Sequence, residues 1–346
     1  MIIVNARFLT QKITGVQRYA IEMCLELKRT HPLVKFVSPK KIMHEEYAAK
    51  LGVERFGVFS GHLWEQIELP FYASNYESAI IVNLCNTGPV IYQNKLVVLH
   101  DIAFERFPMN FSFIFRTMYR LFIPQILHRS RIIVTCSKFS KEEISEYYKI
   151  EKKRINVIPG ACSSGFSVTK SKEDGYILAV SSISPHKNFI SLVHAFDKID
   201  EHIELHIVGD VGKNFSDTGL YELIKKNKKI KLIGRVTDQE LRLKYSSALC
   251  FAFPSIYEGF GIPPLEAQAC GCPCIVSRVA SLPEVYGDSV LYCDPYSIDD
   301  IALKLKALVT DSKLRQKLIQ LGYSNVMRYS YRRSAIEMIE LIEGSK

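Results

Sequence analysis

Short apolar runs alternate with amphipathic stretches along almost the whole chain. In the first half, runs of three to six residues recur at Ile2–Val4, Val34–Val37, Ala79–Leu84, Leu96–Leu99, Ile132–Thr135 and Asn156–Ile158. Between them, apolar residues return at helical spacing over Gly15–Lys28, about Phe111–His128, and Lys138–Tyr148. The second half repeats the scheme. Strands are expected at Tyr176–Val180, Glu204–Val208, Ile230–Ile233, Leu249–Phe253, Pro273–Val276 and Val290–Cys293. Helices are expected near Asn188–Ile199, Gly219–Lys226, Asp238–Ser246, Pro264–Ala269 and Ile298–Val309. Nearly continuous Ile, Val and Leu in each strand, with a helix before the next, predicts parallel sheets covered on both faces.

The pattern divides the 346 residues into two α/β halves, each long enough for its own core. We expect doubly wound, Rossmann-like domains at 1–168 and 169–329, joined by the polar stretch Ser163–Gly175. The tail at 330–346 reads as one more amphipathic helix. Ligands bind such folds outside the carboxyl ends of the strands, which points to the cleft between the halves.

Composition narrows the class. Hydrophobic residues make up 47% and charged residues 23%, as in a globular chain. No apolar stretch reaches the ~18 residues a spanning helix needs. The start, Met-Ile-Ile-Val-Asn-Ala-Arg, reads as a first strand and not as a signal peptide. A cytosolic chain, or one on the cytosolic face of a membrane, is expected. Nine cysteines fit a reducing compartment and show no zinc spacing. Residues 1–168 carry 22 Lys and Arg against 14 Asp and Glu, so most of the +9 net charge lies there. No nucleic-acid-binding motif accompanies it, and an anionic surface or anionic acceptor fits better. A dehydrogenase reading is poor, because no Gly-x-Gly-x-x-Gly follows either half's first strand.

The most telling stretch is Pro254-Ser-Ile-Tyr-Glu-Gly-Phe-Gly-Ile-Pro-Pro-Leu-Glu-Ala-Gln-Ala-Cys-Gly-Cys-Pro273. Glu258 follows a hydrophobic strand, and Glu266 lies inside a helix that begins near Pro263-Pro264. Gly259 and Gly261 let backbone approach a ligand closely. N–H groups at the helix start favour an anion or an oxygen-rich group. Strand, glycine loop and helix with two carboxylates suit a polyhydroxylated, phosphorylated ligand.

Six segments place the chain beside a known family. They are Thr14-Gly15-Val16-Gln17-Arg18-Tyr19, His100-Asp101-Ile102, Ser184-Pro185-His186-Lys187-Asn188, Ile233-Gly234-Arg235-Val236, Tyr257-Glu258-Gly259-Phe260-Gly261 and Leu282-Pro283-Glu284-Val285. In this order the chain resembles the retaining GT-B glycosyltransferases of family four, which build bacterial surface polysaccharides from nucleotide-sugars. The resemblance spans nearly the whole length. It implies two Rossmann-like domains facing across a cleft, the first for the acceptor and the second for the nucleotide-sugar. It also implies a C-terminal helix crossing back to the first domain.

The resemblance assigns Glu266 to the ribose hydroxyls and Glu258 to hydroxyls of the transferred sugar. Backbone N–H groups of Gly259, Phe260 and Gly261 would hold sugar or diphosphate oxygens. Lys187 would neutralise charge growing on the departing phosphate. The family often has an arginine six positions before this lysine and another directly before it. Ser181 and His186 stand there instead, so the load shifts to Lys187, with help from the Ser181 and Ser182 hydroxyls. Arg235 is open to two readings, a second cation for the diphosphate or a structural ion pair; Val236 begins the loop that touches the base. His100 would reach the donor sugar, and Gly15 would let backbone approach it or merely close a tight turn. Residues 106–154 hold eleven basic and four acidic side chains interleaved with aromatics. That segment is either a membrane-docking face or a core helix with snorkelling arginines.

The reaction the resemblance implies moves a hexose to a lipid-linked glycan acceptor, as in lipopolysaccharide O-antigen synthesis by mannosyltransferases. The resemblance to polysaccharide enzymes with a Pro-x-Lys-Asn turn implies GDP-mannose or a related GDP-sugar as donor. No metal ion or cofactor is expected, because fixed cations replace the Asp-x-Asp clamp. The alternatives are a nucleotide-sugar epimerase or hydrolase, and a non-catalytic partner subunit that only binds the donor.

Overall fold

A computed structural model of the chain describes residues 1–169, 174–199, 202–209 and 218–344. The expected linker Ser163–Gly175 falls partly outside the described residues, at 170–173. Two parallel sheets organise the chain.

The first sheet has the order β3-β2-β1-β4-β5-β6-β7. Its strands are β1 (Ile2–Asn5), β2 (Lys35–Ser38), β3 (Glu54–Arg55), β4 (Ile80–Asn83), β5 (Lys95–Val98), β6 (Ile132–Thr135) and β7 (Ile155–Val157). The second has the order β10-β9-β8-β11-β12-β13. It comprises β8 (Asp174–Val180), β9 (Glu204–Val208), β10 (Ile230–Gly234), β11 (Ala248–Phe253), β12 (Cys274–Ser277) and β13 (Leu291–Cys293). All adjacent pairs run parallel, for example Ile3 beside Ile81 and Phe253 beside Val276. β4, β5, β6 and β12 are buried along their whole length, as sheets covered on both faces require.

The order explains where sites can form. In the first sheet the chain winds outward from β1 to β3, then returns to β4 on the other side of β1. The second repeats this, from β8 out to β10 and back to β11. The carboxyl ends of β1 and β4, and of β8 and β11, are therefore the two switch points.

Two compact units result. The first comprises residues 1–102, 113–160 and 330–346, and the second comprises 103–112 and 161–329. The sequence places the division at 168/169; residues 161–168 and the short excursion 103–112 sit with the second unit. Periodicity could not reveal that excursion, because side-chain contacts hold it: Asn110 Nδ2 donates to His186 Nδ1 at 2.8 Å. Phe107 stacks on His186 and meets Tyr257 edge-on. The tail helix Tyr331–Gly344 lies against the helix Gly15–Thr30 in the first unit. Tyr331 meets Tyr19 at 5.9 Å between rings, and Ser334 Oγ donates to Pro159 O at 2.9 Å.

Each core is aliphatic with a few large anchors. Trp64 is wholly buried on one face of the first sheet with Leu69, Tyr72, Ile3 and Ile81, and its Nε1 donates to Phe56 O at 2.8 Å. Leu192, Leu205, Ile207, Leu305 and Leu308 are among the buried side chains of the second core. The three cysteines at 270, 272 and 274 are buried in the second unit, with the Cys272 and Cys274 thiols turned to the Ala248 and Pro264 carbonyls.

Candidate functional site

The second unit's switch point brings together residues far apart in sequence. β8 ends at Val180, and the loop after it runs through Ser181 and Ser182 to a tight turn at Pro185–Lys187. β11 ends at Phe253, and its loop carries Glu258. Lys187 Nζ and Glu258 Oε1 meet at 2.7 Å, with side chains only 16% and 10% exposed. The pair links the two loops across the switch point.

Neighbouring residues fix both partners. Asn188 adopts φ +62° just before the helix Phe189–Phe196, a conformation Asn tolerates better than most residues. Its buried amide donates to Pro254 O and Pro295 O at 3.1 and 2.8 Å, which pins the turn behind Lys187. Ser281 Oγ donates to Glu258 O at 2.9 Å. The ammonium has three donors, and Glu258 engages one of them.

His186 fills the position where an arginine was expected but supplies no charge. Burial, with the Lys187 ammonium second, pushes its pKa down to about 3. Its Nδ1 accepts from Asn110 and therefore carries no proton. Ser181 Oγ is turned to Ser182 O at 3.1 Å, while Ser182 is exposed. Gly209, which sequence reasoning passed over, follows β9. A Cβ there would collide with Ser181 O, so glycine lets these loops close on one another.

The glycine loop behaves partly as expected. Gly261 has φ +81°, and a Cβ there would come within 2.8 Å of Leu282 Cδ2. The Tyr286 hydroxyl donates to Gly261 O. Phe260 buries its ring against Tyr329, at 5.4 Å and 90°. The following helix begins at Ile262, one residue before the expected prolines. Pro263 and Pro264 are then its second and third residues and offer no N–H. Of those first three positions, only Ile262 can donate.

Glu266 is 6% exposed on that helix. Tyr245, fully buried and overlooked in the sequence, donates its hydroxyl to Glu266 Oε2 at 3.3 Å. Burial, then the Glu266 charge, holds that phenol well above its ordinary pKa. It stays a neutral donor and orients the carboxylate. Arg235 and Val236 lie beyond the positive-φ Gly234, at the end of edge strand β10. Two strand spacings, about 10 Å, separate β10 from β8. Arg235 is exposed. Thr237 caps the next helix through a reciprocal pair with Glu240.

Gly15 and His100 belong to the first unit. Gly15 opens the helix Gly15–Thr30 behind a Thr14–Gln17 capping box. Its φ is not in the left-handed region, and a Cβ there would meet nothing within 4 Å. The fold itself makes no demand for glycine at that position. His100 is 9% exposed. Its Nε2 donates to Leu84 O at 2.9 Å, and Tyr19 meets the ring edge-on at 4.7 Å. Burial outweighs that hydrogen bond and pushes its pKa down to about 4. At neutral pH it is an uncharged imidazole with the proton on Nε2.

The first unit's own switch point carries a polar cluster that the sequence did not reveal. Asn5 ends β1 and Asn83 ends β4, and their side chains meet at 3.0 Å. Glu65, 1% exposed, accepts from Arg7 Nε, Asn5 Nδ2 and Thr87 Oγ1. Burial pushes its carboxyl up, but Arg7 and the hydrogen bonds from His62 and Asn5 outweigh this and hold it below the usual range. Among the described residues no group of three or more His, Cys, Asp or Glu could hold a metal ion.

Residues 164–325 match the family "Glycosyl transferases group 1". The chain is 29% identical over 230 residues to the O-antigen chain mannosyltransferase B of Escherichia coli, covering 62% of this chain and 60% of that protein. It is 28% identical over 311 residues to the O-antigen chain mannosyltransferase RfbU of Salmonella typhimurium, covering 85% and 86%. Among solved structures it is similar to Anabaena HepE, crystallised with UDP and glucose. That likeness has a TM-score of 0.80 at 15% identity and covers 99% of each chain. At that identity it concerns the fold.

Proposed function

We propose a reaction for this chain from one premise: it is a glycosyltransferase of GT-B fold, with a glycosyl transferases group 1 domain at residues 164–325. It transfers a hexose, with retention of configuration, from a nucleoside-diphosphate sugar to a glycan hydroxyl in surface-polysaccharide assembly. The donor is GDP-mannose or a related GDP-sugar, in keeping with the O-antigen mannosyltransferases it resembles. The second unit holds the donor, and the first unit holds a lipid-linked acceptor.

The Lys187–Glu258 pair carries this reading. The bond between the anomeric carbon and the β-phosphate oxygen breaks, leaving negative charge on phosphate and positive character on the sugar. Lys187 meets the first with the donors Glu258 does not use. Glu258 aims the ammonium and lies within reach of sugar hydroxyls. With His186 neutral, the charge at this turn comes from Lys187 alone. The acceptor oxygen forms the new bond on the same face, and its proton passes to the departing phosphate. Glu266, aimed by Tyr245, takes the ribose hydroxyls as a charged acceptor. His100 and Gly15 contribute to the sugar from the first unit.

A fixed ammonium supplies the charge that a divalent metal would otherwise bring, so turnover proceeds without one. The segment 106–154 rests on an anionic membrane face. Its helix Phe113–Arg129 exposes Phe113, Ile114 and Leu121 beside Arg120. Among the described residues no helix is long and apolar enough to cross a membrane.

The test is turnover of GDP-mannose, UDP-glucose and dTDP-glucose by the full chain, with and without EDTA. Release of GDP from GDP-mannose, unchanged by EDTA, is expected. The free nucleotide preferred by the site should also raise the melting temperature; at a hundred times its Kd, ligand adds about 2.7 kcal/mol. Turnover of no donor when a glycan acceptor is supplied would sink the reading, and loss with EDTA restored by manganese would sink metal independence.

A further inference from the structure

The segment 61–74 is helical throughout and contains a turn of π-helix at Trp64–Glu68. Such turns add a residue to the spiral and often mark functional positions. Here nearly every side chain of the turn ties down a loop. Gln66 bridges Gly88 O and the Val90 N–H at 2.9 and 2.8 Å. Glu68 accepts from the N–H groups of Val58 and Phe59. Glu65 reaches into the switch point, where Arg7, Asn5 and Thr87 all donate to its Oε1. A Cβ at Gly88 would strike the Asn83 amide at 2.7 Å, so the loop after β4 presses on this cluster.

The second oxygen of Glu65 is left for His62. Its Nδ1 stands 3.1 Å from Oε2, and the imidazole is 32% exposed. An ionised carboxylate held by three donors cannot turn away, and it can only accept. It therefore holds the proton on Nδ1 and leaves the Nε2 lone pair for another group. Among the described residues nothing hydrogen-bonds Nε2. A purely structural contact would not need a buried, clamped carboxylate to hold a half-exposed ring.

The ligand's chemistry follows from this arrangement. With the proton on Nδ1, Nε2 offers a lone pair to which a hydroxyl can donate. A metal would need further protein ligands, and none cluster here among the described residues. We propose that His62 Nε2 accepts a hydrogen bond from a ring hydroxyl of the acceptor sugar, with Glu65 and Arg7 as positioning residues. This rests on the glycosyl-transfer reading above and adds an acceptor subsite at the first unit's switch point. His62 orients the sugar; the reacting hydroxyl's proton still leaves with the donor phosphate.

The test uses the full chain with 15N-labelled histidines, its His62 signals assigned through His62→Gln. Octyl glycosides of α-mannose, α-galactose and β-N-acetylglucosamine serve as probes. The proton is expected on Nδ1, and at least one glycoside should shift Nε2 saturably. Glu65→Gln should change the tautomer balance, which a packing role alone would not do. His62→Gln should weaken that glycoside about tenfold, the loss of one good hydrogen bond, while donor hydrolysis stays within twofold. Failure of every glycoside to move His62, equal affinity in His62→Gln, or parallel loss of donor hydrolysis would each overturn the proposal. A chain that turns over no donor when a glycan acceptor is supplied, while His62 still responds, refutes the transfer reading and leaves the sugar site standing.

Discussion

The two switch points share a topology and differ in how they treat charge. In the second unit, Lys187 and Glu258 sit on loops at the strand ends, 16% and 10% exposed, with donors to spare. In the first, Arg7 and Glu65 are 7% and 1% exposed and tied to Asn5 and Thr87. The first pair has capacity left for a ligand; the second has spent nearly all of it on its neighbours. An ion pair at a strand end can thus be a tool or a scaffold. Burial and the count of unused donors distinguish the two.

That contrast can be broken by mutation. Glu65→Ala leaves Arg7 buried without its counter-charge, which costs about 3–5 kcal/mol of stability. Denaturant melts should show the loss, and a change under about 1 kcal/mol would make the cluster a surface-like pair. Lys187→Ala leaves the Glu258 side chain, 10% exposed, without its partner, so the melt should fall, though by less than in Glu65→Ala, and kcat should drop by about 10²–10³, as removal of one charge-stabilising donor does elsewhere. Transfer near the wild-type rate would remove Lys187 from the reaction.

Acid provides a smaller effect. His100 and His186 have folded pKa values of about 4 and about 3, below the ordinary value of 6.5. The unfolded chain takes up protons first, so their contribution is full above about pH 6.5 and falls as pH drops toward 4. Melting temperature should decline over that window, and His100→Gln should flatten the slope. A decline of the same steepness in the variant would show that His100 titrates freely.

Much of this was legible in the residues. The apolar runs located the strands to within a residue or two, apart from β3, whose two residues Glu54 and Arg55 are exposed and carry no pattern. Short helices such as Glu45–Leu51 and Leu282–Tyr286 escaped because a turn or two is too brief for periodicity. Lys187 and Glu258 stood out through their motifs. Tyr245 did not, because a tyrosine in an amphipathic helix looks like core until its hydroxyl is seen at Glu266. The Arg7–Glu65–His62 cluster was equally hidden. Glu65 lies 58 positions from Arg7, and only the packing of the helical segment 61–74 on the first sheet brings it and His62 to the end of β1. Gly209 was hidden for the same reason, since the atom it avoids belongs to another loop.

The most direct measurement is a crystal structure of the chain with GDP bound. The β-phosphate should lie within about 3 Å of Lys187 Nζ, as an N–H···O bond requires, with Glu258 still touching the ammonium and the ribose hydroxyls on Glu266. A diphosphate bound away from Lys187 would contradict the account at its centre.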